Sequence, residues 1–332
     1  MTAIGVAFDG MAPVSAAVAI GRRAERSGIA SMWLAEHLGY QESTLTALAV
    51  VSATRTLRAV PTGVSPYLRH PMLMAMAMAS LSEGRPNRAA IALGVGNPLF
   101  LAESGVEAHR PVATMREYVA CLRLLFSGAP AHHAGQHFTL SGARLALQEP
   151  VTTPIYVAAM GPHMLRLAGR DADGVVLSSG LSVSSIHEAL RAVDEEARAN
   201  ERPVDAVYRA AYVITAVSRD GRVAFEACRR KLAFVLRNAH LAESVHAAGI
   251  SIDQEAIVAA IAGRDLDAAT RLVPDEAVEA LAIAGSPRTC AERLDEYAGA
   301  GLDEVVLSLA GPSEHHREAF ALAAARVGGG EA

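Results

Sequence analysis

The chain has 332 residues, 51% of them hydrophobic and 20% charged, with a net charge of -5 and a pI near 6.2. That length supports one large buried core, and by length alone two domains remain open. The mildly acidic balance argues against a surface for polyanions, so nucleic acid is not an expected partner. Met1-Thr2-Ala3-Ile4 enters directly into an apolar run without a basic segment or cleavage site, which points away from secretion. The most apolar stretch, Met72 to Leu81, is shorter than the roughly 20 residues a bilayer requires, so the expected setting is the cytoplasm, with no membrane partner. Cys121, Cys228 and Cys290 stand far apart in helix-like segments and read as buried free thiols. Lys231 is the only lysine and also sits in a helix-like segment, so Schiff-base chemistry and a Walker-type phosphate loop both lack their key residue.

In chain order, short apolar runs alternate with amphipathic helices. The strand candidates are Ile4–Phe8, Ser31–Ala35, Val60–Ser65, Ala89–Val95, Ile155–Ala159, Gly174–Ser178, Val207–Ala216 and Glu304–Leu309. They are almost continuously apolar, as expected of strands covered on both faces. Met115, Val119, Leu122, Leu125 and Phe126 fall on one helical face, as do Cys290, Leu294 and Tyr297. Eight strands alternating with helices give an α/β chain, read as a (β/α)8 TIM barrel; an open doubly wound sheet suits the same alternation. Two segments break the rhythm. Residues 128–152 read as a loop with a small β-excursion, and residues 219–286 as a long helical stretch. Both are taken as rim insertions in one domain covering residues 1–327, followed by a disordered glycine-rich tail.

Barrel enzymes carry their sites at the C-terminal ends of the strands. Those ends here are Trp33-Leu-Ala-Glu-His, Thr62-Gly-Val-Ser-Pro-Tyr-Leu-Arg-His-Pro, Leu93-Gly-Val-Gly-Asn-Pro, Ala158-Ala-Met-Gly-Pro-His-Met and Leu177-Ser-Ser-Gly. Glu36-His37 is the one acid–histidine pair among them, and a histidine titrating near 6.5 suits proton transfer, although such a pair also occurs for structural reasons. At Met160-Gly161-Pro162-His163-Met164, glycine admits close backbone approach and proline suits a first helical turn, so free N–H groups there can meet an anion; an ordinary strand-to-helix turn looks similar.

Taken together, the chain resembles the luciferase-like family, most closely its branch that includes methylenetetrahydromethanopterin reductase and uses the deazaflavin coenzyme F-420. The most specific segments are Gly63-Val-Ser-Pro-Tyr-Leu-Arg-His-Pro, Ala134-Gly-Gln-His-Phe-Thr-Leu and Pro154-Ile-Tyr-Val-Ala-Ala-Met-Gly-Pro-His-Met. Gly285-Ser-Pro-Arg with Tyr297-Ala-Gly-Ala-Gly-Leu-Asp-Glu-Val-Val supports the family as a whole. The resemblance implies a TIM barrel and hydride transfer between coenzyme F-420 and a small molecule. It implies a non-prolyl cis peptide at Gly63–Val64, supporting the cofactor ring, with an ordinary strand end and Ser-Pro turn as the alternative. It implies a cofactor site from Gly63, Val64, Ser65, Asn97, Met160, Gly161, Pro162, His163, Met164 and Ser178, with His37 and Glu36 as catalytic candidates. A homodimer formed by helices near the second and third strands follows from the same resemblance.

The sequence also departs from these relatives. Ala7 and Leu99 stand where related enzymes carry acids, so neither a sugar-phosphate nor a pterin substrate carries over; Asp9 and Glu103 are the nearest acids that could substitute. Gly94-Val-Gly96 lacks the third glycine of a dinucleotide fingerprint. His132, His133 and His137 lie in a loop excursion without a nearby carboxylate or thiol cluster, so no metal site is expected. Met72, Met74, Met76 and Met78 read as core or dimer-face packing on a helix. An FMN-dependent monooxygenase, with Arg69, Ser178 and Ser179 on the phosphate, is the second reading, and a noncatalytic flavin-binding barrel is the third.

Overall fold

The computed structural model describes residues 2–147 and 149–328; residues 329–332 of the glycine-rich tail lie outside them. The strands are β1 (Ala3–Phe8), β2 (Ser31–Ala35), β3 (Arg58–Val64), β4 (Ile91–Leu93), β5 (Ala131–Ala134), β6 (Thr139–Ala143), β7 (Ile155–Ala159), β8 (Gly174–Leu177), β9 (Tyr208–Val217), β10 (Ala282–Gly285) and β11 (Glu304–Leu309). Eight of them pair in parallel in the order β1-β2-β3-β4-β7-β8-β9-β11, and β11 returns to pair with β1. The sheet therefore closes, which excludes the open doubly wound alternative. Each of the eight strand segments read from the sequence holds one of these strands, although β4 is shorter than its apolar run.

Two details differ from the sequence reading. The 219–286 stretch is not wholly helical, because it ends in β10. Strand β9 is ten residues long, and β8 pairs only with its first half, Tyr208 to Ala211. The overhanging half, Ile214 to Val217, pairs with β10 instead and so satisfies backbone groups that β8 leaves open. The 128–152 segment contains the hairpin β5–β6. A carboxylate does reach its histidines: Glu117, from the helix Pro111–Phe126, accepts the backbone N–H groups of Gln136, His137 and Phe138 and lies 3.8 Å from His133 Nε2. It acts as a cap for the hairpin, and among the described residues no group of three or more ligands is placed to hold a metal ion.

Alternation along the strands builds two apolar layers. Ile4, Val6, Met32, Leu34, Val157 and Val175 face outward and join the helix-facing core. Trp33, Val60, Ala90, Ala92, Tyr156, Val176, Ala210 and Val306 face inward and fill the lumen. Met115, Val119, Leu122, Leu125 and Phe126 are buried on one helix, and Cys290, Leu294 and Tyr297 on another. All three cysteines are free and buried. Met74 and Met78 are buried whereas Met76 is exposed, which splits the methionine run between the core and an outer face.

The lumen floor is built around one buried carboxylate. Glu304, 0% exposed, pairs with Arg58 at 3.0 Å and accepts the Tyr208 hydroxyl at 2.8 Å and the Ser31 hydroxyl. Tyr156 and Tyr208 stack at 5.3 Å, Trp33 stacks on Tyr156 at 5.8 Å, and the Arg58 guanidinium lies over Tyr208. Burial opposes the charge on Arg58, but Tyr156, Glu304 and Tyr208 outweigh it and raise its pKa further. Gly5 is required beside this network, since a Cβ there would stand 2.4 Å from Glu304 Oε1. Glu304→Ala leaves a buried guanidinium unpaired and should destabilise the fold by about 3–5 kcal/mol. Urea denaturation checks this, with Glu304→Gln expected to lose less because the hydrogen bonds survive.

Candidate active site at the barrel mouth

Above the floor, the inward positions become small. Period-two alternation places Ala7, Ala35, Thr62, Ala158, Ser178 and Ser308 around the upper lumen, with Tyr212 the one large side chain. Ala7, Ala35, Ala158, Ser178 and Tyr212 are half-exposed although they belong to or directly follow barrel strands, so the barrel is open at this level. The floor is wide and aromatic, and its rim is made of alanine, serine and glycine.

The third strand ends differently from the expectation. Among the described residues there is no cis peptide, so the Gly63–Val64 bond is trans. Instead Gly63 adopts a left-handed φ of 77°, and the register of β3 against β4 slips between Thr62 and Val64. Glycine reaches this conformation without a Cβ penalty, so a bulge forms by rotation about φ alone. Gly94 packs closely here, and a Cβ there would lie 3.1 Å from the Gly63 Cα. Two glycine backbones thus meet at the rim, and the face of Gly63 remains clear, with no atom nearer than the Glu36 carbonyl at 4.0 Å. Glu36, Gly63, Gly96, Asn97 and Phe100 line a small cavity of about 20 Å3 at this point.

The proposed residues divide by what their side chains already do. Val64 points into the helix-facing core and brings only its backbone. Ser65 is buried, donates to the Val95 carbonyl at 2.8 Å and accepts from Tyr67 N–H, so its hydroxyl ties two strand ends together. Asn97 lies on the β4 loop and lines the small cavity. Met160 turns toward the 219–286 segment, where the Asn238 amide meets its sulfur at 3.4 Å. Met164 packs against the main core, and Pro162 and His163 are exposed on the first turn of the helix Pro162–Asp171. A Cβ on Gly161 would meet nothing within 4 Å, so backbone there is open to a ligand. Ser178 directly follows β8, half-exposed on the rim.

Glu36 and His37 part company. Glu36 accepts from Arg69 at 2.9 Å and from the Ser43 hydroxyl at 2.8 Å. Arg69 also pairs with Glu42 at 2.6 Å, and Glu42 caps the helix Ser43–Ala53 through the Leu45 N–H. Glu36 is therefore a positioning residue that fixes the loop after β2. Arg69 meets both carboxylates through Nη2 alone. His37 instead faces the mouth, edge-on to Phe100 at 6.2 Å. Burial lowers its pKa, Asp9 raises it and Arg237 lowers it, leaving the imidazole below its ordinary 6.5 and neutral at pH 7.

Several groups that sequence reasoning passed over complete the mouth. Lys231, on the helix Gly221–Val235, donates to the Leu309 carbonyl at the end of β11 at 2.7 Å; burial lowers its pKa against the pull of Asp9. His316 is similarly lowered by burial, with Asp9 and Lys231 acting on it in opposite senses. Asp9 thus takes part in the electrostatics of the mouth, whereas Glu103 is exposed on a short helix. No local motif marks Lys231, Arg237 or His316, because each reaches the site only when the 219–286 segment or the last helix folds onto the barrel.

A family model for luciferase-like monooxygenases matches residues 1–304. The chain belongs to that family. It is 30% identical over 290 residues to the 5,10-methylenetetrahydromethanopterin reductase of Archaeoglobus fulgidus, covering 85% of this chain and 86% of the relative. It is 27% identical over 303 residues to a protein of Nocardia farcinica described as F-420-dependent glucose-6-phosphate dehydrogenase, covering 87% and 86%. The solved coenzyme F-420-dependent tetrahydromethanopterin reductase of Methanopyrus kandleri superposes with a TM-score of 0.87 over 97% of both chains at 23% identity, which places the fold.

Arg69→Met should destabilise the protein by about 2 kcal/mol, since two charge-assisted pairs are lost, and Arg69→Lys should recover part of it, because one nitrogen, Nη2, makes both contacts and an ammonium has three donors. Thermal and urea unfolding of the three proteins check this.

Proposed function

We propose that this chain is a coenzyme F-420-dependent oxidoreductase acting on a small molecule. The observation that carries the reading is the open small-residue mouth above an aromatic floor, with a neutral histidine on its rim. The residues fit a flat tricyclic ring: Gly63 and Gly94 give bare backbone on one side, Ala7, Ala35 and Ala158 leave room above the floor, and Gly161 with the following helix turn is open to an anionic arm. When bound, the deazaflavin supplies a two-electron hydride couple that none of the chain's own side chains carries. The protein positions the substrate, excludes water and moves one proton. An imidazole nitrogen of His37, neutral at pH 7, accepts the proton of a substrate hydroxyl in the oxidising direction and returns it to the oxygen in the reducing direction. Phe100 holds the ring edge-on and Glu36 fixes the backbone beneath it.

Because the His37 pKa lies below 6.5, the oxidising rate should be level at pH 7 and fall as pH drops through that pKa. His37→Asn should lower kcat by about 10²–10⁴-fold while leaving cofactor affinity unchanged. The deciding measurement is fluorescence and absorbance titration of the protein with coenzyme F-420 and, separately, FMN. Binding of the deazaflavin alone is expected; preference for FMN would replace the reading with oxygen chemistry, and binding of neither would favour a noncatalytic barrel.

The same reading takes residues 1–327 as one functional unit in the cytoplasm. Three buried free thiols suit a reducing compartment, and among the described residues no helix is long and apolar enough to cross a membrane. It also includes a homodimer. The helices Ser43–Ala53 and Pro71–Ser82 carry Leu45, Leu73 and Met76 at 67%, 59% and 51% exposure, an apolar face beside β2 and β3. Leu73→Glu should shift the protein from dimer to monomer in sedimentation velocity.

A further inference from the structure

The small cavity beside Gly63 adjoins the proton-transfer histidine. Leu38, Leu68, Phe100 and Leu101 line it together with Gly63 and Gly96. Leu101 is 1% exposed and anchors the short helix Pro98–Glu103: its N–H donates to the Asn97 carbonyl at 3.0 Å, and its carbonyl accepts the Val106 N–H at 2.9 Å. Glycine at position 96 makes room for it, since φ is 98° there and a Cβ would stand 3.1 Å from Leu101 Cδ1. Phe100, one residue before this anchor, is half-exposed and meets the His37 ring edge-on at 6.2 Å. Leu38 directly follows His37, in a turn held by the Tyr40 N–H on the His37 carbonyl at 3.1 Å. Cavity and histidine thus share Phe100 as a common wall.

Its chemistry and size restrict what can enter. Glu36 is the charged residue on the lining, and its carboxylate already accepts from Arg69 and from Ser43. A polar substituent would give up water there for few new partners, whereas leucine and phenylalanine side chains favour a hydrocarbon. At about 20 Å3 the space takes one methyl-sized group. The opposite side of the mouth is different, because Ala7, Ala35 and Ala158 leave it open. A carbon held beside His37 therefore has one tight apolar side and one open side.

We propose that this cavity seats a methyl group on the reacting carbon and that Phe100 sets its size limit, so that the substrates are methyl carbinols and methyl ketones whose second, larger substituent lies in the open mouth. The inference rests on the oxidoreductase reading for its chemistry. In the oxidising direction the carbinol carbon gives a hydride to the coenzyme and the hydroxyl gives its proton to a His37 imidazole nitrogen, so the alcohol loses two electrons and becomes the ketone. Because the two substituents have unequal places, one enantiomer of the alcohol reacts.

The test uses the full chain with coenzyme F-420 and two alcohols that differ by one methylene at the reacting carbon, 1-phenylethanol and 1-phenylpropan-1-ol. In the parent protein kcat/KM should favour 1-phenylethanol by about 10–100-fold, with one enantiomer preferred. Phe100→Ala should bring the two alcohols within about threefold of each other, and the milder Phe100→Leu should fall between. Binding is read separately by ligand-observed NMR with the ketones acetophenone and propiophenone, with and without coenzyme, and acetophenone should bind more tightly. Equal rates for the two alcohols or equal affinities for the two ketones in the parent overturn the proposal, as does a Phe100→Ala variant that keeps the parent's ratio. Turnover of neither alcohol by protein that binds coenzyme F-420 also overturns it. Failure of coenzyme F-420 to bind the parent overturns the functional reading instead, and the ketone affinities of the parent and Phe100→Ala still decide the cavity.

Discussion

A closed barrel of eight strands must fill its own lumen, and here the filling is a buried ion pair set among aromatic rings. Glu304 enters from the start of β11 and Arg58 from the start of β3, with β1 and β2 between them, and Tyr156, Tyr208 and Trp33 pack around the pair. Such a pair adds little net stability compared with apolar filling, but either charge alone is very unfavourable. Its value is registry. It joins strands that do not neighbour each other, and only one alignment lets the Tyr208 and Ser31 hydroxyls reach the same carboxylate. Bulk is thereby concentrated at the lower end, and the upper end is left free for small residues.

That division of the lumen is what makes a site possible. Large side chains below and alanine, serine and glycine above give a flat, partly apolar floor open to one side. The bulge at Gly63 and the close approach of Gly94 then shape the rim with backbone rather than side chains. Little of the chemistry is carried by the protein itself. Burial holds the His37 imidazole below its ordinary pKa, and the Glu36–Arg69–Glu42 network holds the loop that carries it. The 219–286 segment lies across the strand ends, where Lys231 meets the Leu309 carbonyl and Asn238 meets Met160.

The loss of acids at Ala7 and Leu99 gains meaning in this setting. Ala7 lies on the inward face of β1 and is half-exposed at the mouth, so an acid there would place a negative charge beside the floor. Without it, Asp9 is the acid that acts on His37, Lys231 and His316 at the mouth.

Much of this was legible in the sequence for one physical reason: strands buried on both faces must be apolar throughout, and their spacing by amphipathic helices leaves few topologies. The eight strands and the buried helix faces follow from local pattern. Gly63 was marked as unusual from its place at a strand end, but as a cis peptide, whereas the structure gives it a left-handed φ and a trans bond. What the sequence did not determine was partnership. Glu36 and His37 are adjacent and chemically equivalent candidates until Arg69, 33 residues away, claims the carboxylate. Met160 belongs to a strand-end motif, yet it faces Asn238, 78 residues away. Lys231 is one cation along a helix until the long segment folds onto the barrel, buries it and sets it against the Leu309 carbonyl, 78 residues away, since burial and pairing depend on neighbours that the order of residues does not name.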